Sequence, residues 1–398
     1  MEGMSLLSVD ALLRDKHILF VMHTRITHFL TVFRDFTAPK CRSYHIIDHP
    51  LHPLKGTESK YMVYHKKNLV KKRSFPRISG PYTFNFFKDF FLTILWGLSA
   101  GVVYDVGIGA NNLNTLSLLV LRRLGRIRNV IFMCIDYSPN RYDNTLLDWV
   151  YHWIDRMCCY HADVIWNSSG RMNEARVKNG VNRKRIAHTI VMPDGSNFDQ
   201  KRRLPVERID RNLIIYSGHM RPVMGVPLIL DAYRELLHTV PSAKLILTGD
   251  GPDLEKYKEH ARLLGLEKKA VFTGYLKTHE EVDEILRIGA IGLALFAPDK
   301  SSYEYYSDVG KPKAYLAAGM PVIITRVPEI ADTIEQSKAG IVIEYRKVDL
   351  VNALIRLLKN DQVYREYRKN AIVLSKKYVW STIFRSTWWE TLDYLNSL

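Results

Sequence analysis

Cysteine is scarce in this 398-residue chain, which has four, Cys41, Cys134, Cys158 and Cys159, and no CxxC pair. Adjacent Cys158 and Cys159 would point different ways on a helix, so neither a disulfide framework nor a zinc site is expected. The cytoplasm is the expected setting. Long apolar runs are missing too. The longest, Phe90 to Val103, falls short of the roughly 20 residues that cross a bilayer. The opening residues, with Asp10, Arg14 and Asp15, are amphipathic, so no secretory leader is expected. There is no HExxH. The string HIIDHPLH sets His45 and His49 in HxxxH spacing with His52 following. His45 to Ile47 reads as a strand end, where an i, i+4 pair lies about 13 Å apart, and Pro50 and Pro53 argue against a helix. No metal is expected. DVGIGANN, with Gly107 and Gly109, falls short of a dinucleotide fingerprint and excludes NAD binding.

Acidic residues are outnumbered, 41 against 57 Lys and Arg, for a net charge of +16. Residues 1–200 carry about +11 of this and the remainder about +5. The segment from Lys60 to Arg77 concentrates the charge in Lys60, Lys66, Lys67, Lys71, Lys72, Arg73 and Arg77, with Tyr61, Tyr64 and Phe75 interleaved. It suits an anionic membrane surface, and a solvated basic loop is the bland alternative. Nucleic acid is not expected as a partner, because only this segment speaks for it. Just beyond, Phe84, Phe87 and Phe91 continue into Ile94, Leu95 and Leu98 at helical spacing. Core packing is expected for this stripe, with an interfacial role as the alternative.

What is present is repetition of strand and helix. HILFVM, SYHII, GVVYDVG, NVIFMCID, DVIWNSS and IAHTIVM read as strands, with helices such as Asn112 to Leu124 and Thr145 to Tyr160 between them. A second series begins at NLIIYSG and runs through AKLILTGDG, AVFTG, AIGLALF and MPVIIT. Met192 to Asp210, rich in Pro, Gly and charge, reads as the linker. The expected fold class is α/β, with two Rossmann-like doubly wound domains facing across a cleft. The expected domains are 1–200, 201–375, and a C-terminal helix 376–398 packing back on the first. Its Trp380, Trp388 and Trp389 need a surface to bury against.

The second half resembles family-four retaining glycosyltransferases of the GT-B type. LILTGDGPDLEKYKEHARLLGLEKKAVFTGYL is similar to that family's strand, G-D-G-P turn and helix, and AYLAAGMPVIIT to its E-Y-L-A-A-G-x-P-V-I. VMPDGSNFD resembles the hinge and HADVIWNSSGRM the strand before it. The resemblance covers roughly residues 100 to 375.

It implies a metal-independent hexosyltransferase. The donor would be a UDP- or GDP-sugar, and the acceptor lipid-linked or a growing glycan. The enzyme would be peripheral on the inner face of the membrane, with no cofactor. Gly249, Gly251, Gly274 and Tyr275 would meet the nucleotide. The family's diphosphate pattern G-R-x-x-x-x-K-G reads here Gly218, His219, Met220, Arg221, Pro222, Val223, Met224, Gly225. His219 and Met224 replace the Arg and the Lys. Arg221 and Lys311 are the candidates to replace their charge. The family's paired glutamates fall on Tyr306 and Ala314. Asp308, with Glu304 as a weaker candidate, would hold sugar hydroxyls or, in the case of Asp308, cap the next helix. In the first domain Asp136 is the expected orienting acid and His23 follows it. Ser168 and Ser169 are strand-end hydroxyls with either a cleft or a structural role. Losing both glutamates, the Arg and the Lys also suits a catalytically degenerate GT-B module that binds a glycan or a partner protein.

Overall fold

The computed structural model describes residues 7–24, 28–51, 58–78, 82–299 and 303–398. It forms two compact units, Met1–Pro193 with Ile383–Leu398, and Asp194–Thr382.

The first unit is built on eight strands, β1 His17–Thr24, β2 Ser43–Pro50, β3 Ser59–His65, β4 Asn68–Phe75, β5 Tyr104–Ala110, β6 Ile127–Cys134, β7 Val164–Asn167 and β8 His188–Val191, ordered β4-β3-β2-β1-β5-β6-β7-β8. Its helices are α1 Leu7–Leu13, α2 His28–Thr37, α3 Tyr82–Leu98, α4 Asn112–Arg123, α5 Thr145–His161 and α6 Arg171–Lys178. The central strands are parallel and read as continuous apolar runs, since helices cover both faces. Ile18 to Val21 are all buried. Only β3 pairs antiparallel, with β2 and with β4. The basic segment is therefore a hairpin at the sheet edge, not a loop. It turns through Lys66 and Lys67, with Lys66 at φ 56°, and all eight residues of β4 are exposed. The aromatic stripe of α3 corrects the core expectation. Phe84, Phe87, Phe91 and Leu95 are exposed, while Leu92 and Trp96 on the opposite side are buried.

An aromatic cluster closes this unit. Trp388 meets Trp166 edge to face at 5.2 Å and stacks on Phe33 at 6.2 Å. Trp166 Nε1 donates to Thr391 Oγ1 (2.8 Å), and Trp388 Nε1 to Thr37 Oγ1 (3.3 Å), so each indole keeps a polar partner in the core. Beside them Arg176 lies fully buried. Its Nε and Nη2 donate to Asp155 at 2.9 and 3.1 Å, and its guanidinium rests over the rings of Phe132 and Tyr137. Burial pushes the neighbouring Cys134 thiol up to about 12, which leaves it inert.

The second unit has a wholly parallel sheet of β9 Leu213–Ser217, β10 Lys244–Thr248, β11 Ala270–Gly274, β12 Ile291–Ala294, β13 Val322–Thr325 and β14 Gly340–Ile343, ordered β11-β10-β9-β12-β13-β14. The helices are α7 Val226–Thr239, α8 Leu254–Leu263, α9 His279–Ile288, α10 Tyr303–Tyr306, α11 Gly310–Ala318, α12 Ile330–Gln336, α13 Lys347–Lys359 and α14 Asp361–Ser375. α15, Trp380–Ser397, begins in this unit and continues in the first from Ile383. The Trp380 indole covers Gly195, where an added Cβ would meet it at 2.4 Å. Its Nε1 donates to Asn197 Oδ1.

Asp155→Ala leaves the Arg176 guanidinium buried and unpaired, and should cost about 3–5 kcal/mol. Urea unfolding checks this, and a loss under about 1 kcal/mol contradicts the packing described.

Candidate functional site

Three successive strands of the second unit end in glycine turns that are knitted to one another. Gly218 N donates to Thr248 O (2.9 Å) and Gly249 N to Gly274 O (3.0 Å). A Cβ on Gly249 would stand 2.0 Å from Gly218 O, and φ there is 126°, so the position accepts only glycine. At Gly251 a Cβ would meet Met220 O at 2.4 Å. Gly274 turns at φ 71° into open space, and Tyr275 after it is 72% exposed. His219 Nδ1 donates to Asp250 O (2.7 Å), and Tyr216 Oη donates to His219 O (2.8 Å). The ends of β9, β10 and β11 thus form one rigid rim.

The cations converge on that rim. Lys311, in the first turn of α11, lays its ammonium over the Tyr216 ring at 4.1 Å and near Phe296 at 5.4 Å. Nζ is so close to Gly218 that a Cβ there would meet it at 2.7 Å. It also lies 4.0 Å from Met224 Sδ. Lys311 therefore brings a positive charge to the neighbourhood of the residue where the resembled family carries its lysine. Burial lowers its pKa to about 7. Among the described residues no carboxylate is in ion-pair contact with it.

Arg221 is held differently. Its Nη2 donates to Glu304 Oε1 (2.6 Å) and to Tyr303 Oη (3.1 Å), while its Nε is buried without a partner. Glu304 is 1% exposed, so its charge is spent on Arg221. Asp308 does not cap α11, whose N-cap is Val309 without a side-chain bond. It pairs instead with Lys313, a fully buried lysine under the Tyr378 ring, and accepts from Asp194 N (2.6 Å). Burial raises the Asp308 carboxyl. Asp194 is pushed up to about 6 by burial, against Lys313 and with Asp308. Asp308 is thus the carboxylate in ion-pair contact with Lys313, and Asp194 joins them through its backbone N–H. Tyr306 is buried and Ala314 half-buried at the places of the family's glutamates.

In the first unit Asp136 follows β6, with Oδ2 2.8 Å from Arg141 Nη1 and a third of the side chain exposed. Ser168 Oγ donates to Ile135 O (2.7 Å), and Ser169 Oγ accepts from Arg171 N (3.1 Å). His23, at the end of β1, sets Nε2 3.2 Å from Asp89 Oδ2. Asp89 also faces His49 Nδ1 (3.1 Å), Lys88 Nζ (2.9 Å) and Ser59 Oγ (2.9 Å). Burial would raise the Asp89 carboxyl, but His23 and His49 hold it well below the carboxylate range. Burial takes His49 down to about 4 despite Asp89. Asp89 went unread in the sequence, where its one signal is a lone acid inside an aromatic helix. His45 is bound by Ser43, Tyr61 and Tyr104. His45 and His49 are thus structural side chains, and His52 lies outside the described residues.

Two parallel-rich α/β units with glycine-edged strand ends and cations gathered there define the GT-B class of fold. Residues 197–373, within the second unit, match the model of the family Glycosyl transferases group 1. The chain is 26% identical over 160 residues to the N-acetyl-alpha-D-glucosaminyl L-malate synthase of Bacillus anthracis, covering 40% of this chain and 39% of that one. It is 26% identical over 180 residues to a GDP-mannose-dependent alpha-(1-6)-phosphatidylinositol monomannoside mannosyltransferase of Mycobacterium tuberculosis, covering 42% and 46%. The chain spans less than half the length of these curated relatives. Over the whole fold it is similar to a sucrose-phosphate synthase from Thermosynechococcus elongatus, with TM-score 0.68, 15% identity, and 96% and 99% coverage. Anabaena HepE, solved in complex with UDP, gives 0.67 at 13% identity, with 96% and 100% coverage.

Gly249→Ala forces a left-handed backbone against a carbonyl, a strain of about 1–3 kcal/mol. Denaturant unfolding should show that loss, and an unchanged midpoint contradicts the rim as described.

Proposed function

We propose that the chain is a retaining glycosyltransferase that moves a hexose from a UDP- or GDP-sugar to a lipid-linked or growing glycan acceptor at an anionic, cytoplasm-facing membrane surface. The observation that carries this is Lys311, held against the Gly218 turn with no carboxylate among the described residues in ion-pair contact with it. Departure of a nucleoside diphosphate builds negative charge on its phosphates, and a fixed cation in a water-poor site stabilises that charge without reorganising. The N-terminus of α11 adds its dipole at the same place. Arg221 is half-neutralised by Glu304 and contributes direction more than net charge. HepE has been solved with UDP and with UDP-glucose, and the mycobacterial relative uses GDP-mannose. Both bases therefore stay in the proposal.

The retaining course follows the family resemblance, in which the acceptor attacks on the face the leaving group departs from. Its proton passes to the phosphate. No metal is assigned. Gly249, Gly251 and Gly274 would let the nucleotide approach the backbone, with Tyr275 as an exposed ring beside it and His219 offering Nε2. Asp136 and His23 would orient the acceptor. Asp308 would act through Lys313 to fix the start of α11. At the membrane, Lys66, Lys67, Lys71, Lys72 and Arg73 of the β3–β4 hairpin would meet lipid headgroups. The exposed α3 stripe lies beside them, since Arg73 Nη1 donates to Ser99 Oγ just past its end.

The engagement of Glu304 and Asp308 by cations favours a second reading, a degenerate module that binds a glycan or partner protein. The test is transfer and hydrolysis across a panel of UDP- and GDP-sugars, with nucleotide affinity alongside. Turnover supports the enzyme. Absence of both turnover and nucleoside diphosphate binding defeats it.

Lys311→Met should lower kcat by about 10²- to 10³-fold. The pH dependence has a definite sign. With its pKa near 7 in the free protein, Lys311 is neutral at higher pH and must take up a proton to meet the diphosphate. Affinity should then fall by up to about tenfold per pH unit above pH 7. Calorimetry at several pH values, in buffers of different ionisation heat, checks both the fall and the proton uptake. A flat profile contradicts the role.

A further inference from the structure

The first two turns of α5 project from the first unit with apolar side chains outward. Leu146, Leu147, Trp149, Val150 and Trp153 are 68%, 43%, 63%, 36% and 45% exposed. Leu146, Trp149, Val150 and Trp153 follow i, i+3, i+4, i+7 and so form one face. From Thr145 to Val150 only Asp148 is partly covered, and it is spent inside the loop, accepting from Arg141 N (2.7 Å) and Tyr142 N (3.1 Å). A tryptophan-rich helix end left in water needs an occupant.

We propose that this end of α5 is a second bilayer contact, which inserts beside α3 and sets the Asp136 loop at the lipid surface. The inference rests on the membrane reading above and names where the acceptor site lies against the bilayer. α3 and α5 both pack against α4, so the two exposed stripes belong to one helical layer. Each helix runs into a parallel strand, α3 into β5 and α5 into β7. Both helices therefore start at the carboxyl edge of the sheet, where open α/β sheets bind ligands. The stripes combine Phe, Leu and Trp, the residues that settle at a membrane interface. Charge complementarity comes from Lys71, Lys72 and Arg73 on the exposed strand β4 beside α3.

The link to Asp136 is short and braced. Arg141 pairs with Asp136, Tyr142 meets the Tyr151 ring edge-on at 6.0 Å, and Asn144 caps α5 by accepting from Leu147 N. A lipid-linked acceptor could then be reached at the bilayer surface without leaving it.

The test uses the full chain and vesicles of phosphatidylcholine with phosphatidylserine. Of the seven tryptophans, Trp149 and Trp153 are the exposed ones, so lipids brominated on their acyl chains should quench emission on vesicle binding. L146S/W149S/W153S should lose that quenching and weaken vesicle co-sedimentation at least about tenfold, with little change in melting temperature because the side chains start exposed. F87S/F91S/L95S on α3 is the companion variant. If only the α3 variant releases the protein and wild-type emission is unquenched, α5 is not a lipid contact and the proposal falls while the membrane reading stands. If the wild type does not bind vesicles, both fall. If the α5 variant turns a dimer into a monomer without altering lipid binding, the occupant is a second copy and the proposal is overturned.

Discussion

A lysine kept beside a glycine turn, with no carboxylate among the described residues in ion-pair contact with it, is the constraint from which the second unit's arrangement follows. Lys311 reaches that place because Gly218 has no side chain and because Tyr216 and Phe296 support the cation. Gly218 is fixed in turn by Thr248, and Gly249 by Gly274. Any side chain at Gly249 would break the contact between the two turns. The second cation, Arg221, is consumed by Glu304, so the net charge of the rim depends on Lys311 alone among the cations described there. Because burial lowers that lysine's pKa to about 7, its charge changes with pH around neutrality.

Neutralisation elsewhere in the molecule is more complete. Asp155 and Arg176 pair deep in the first unit, and in the second Asp308 pairs with Lys313 while accepting from the Asp194 backbone N–H. Asp89 gathers His23, His49, Lys88 and Ser59 around one buried carboxylate. The Asp89 site ties α3 to β1, β2 and β3, and the Asp155–Arg176 pair ties α5 to α6. An unpaired buried charge is costly, and burial accordingly lowers the pKa of Lys311 to about 7 beside Gly218.

Most of the sheet strands were legible because each is a short, continuous apolar run closed by glycine or a polar residue. The β3–β4 hairpin was not, since a lysine-rich edge strand exposed on both faces has no apolar alternation to betray it. β14 and α12 went unread. Helical spacing identified the α3 stripe as one face, but period alone does not say whether a face meets protein or solvent. In the site, Lys311 was legible from its place before AYLAAG. The Arg221 to Glu304 pair spans 83 residues and Asp308 to Lys313 spans five. Neither separation has a local signature, so Asp308, read as a sugar-hydroxyl ligand or a helix cap, is found as the ion-pair partner of Lys313.

The central claim, that Lys311 replaces the family's missing lysine as the diphosphate contact, is tested most directly by a crystal structure with a bound nucleoside diphosphate. The account predicts a phosphate oxygen within about 3 Å of Lys311 Nζ, at the Gly218 turn. A diphosphate bound away from that turn, or one contacted there by other cations with Lys311 still folded over Tyr216, would contradict it.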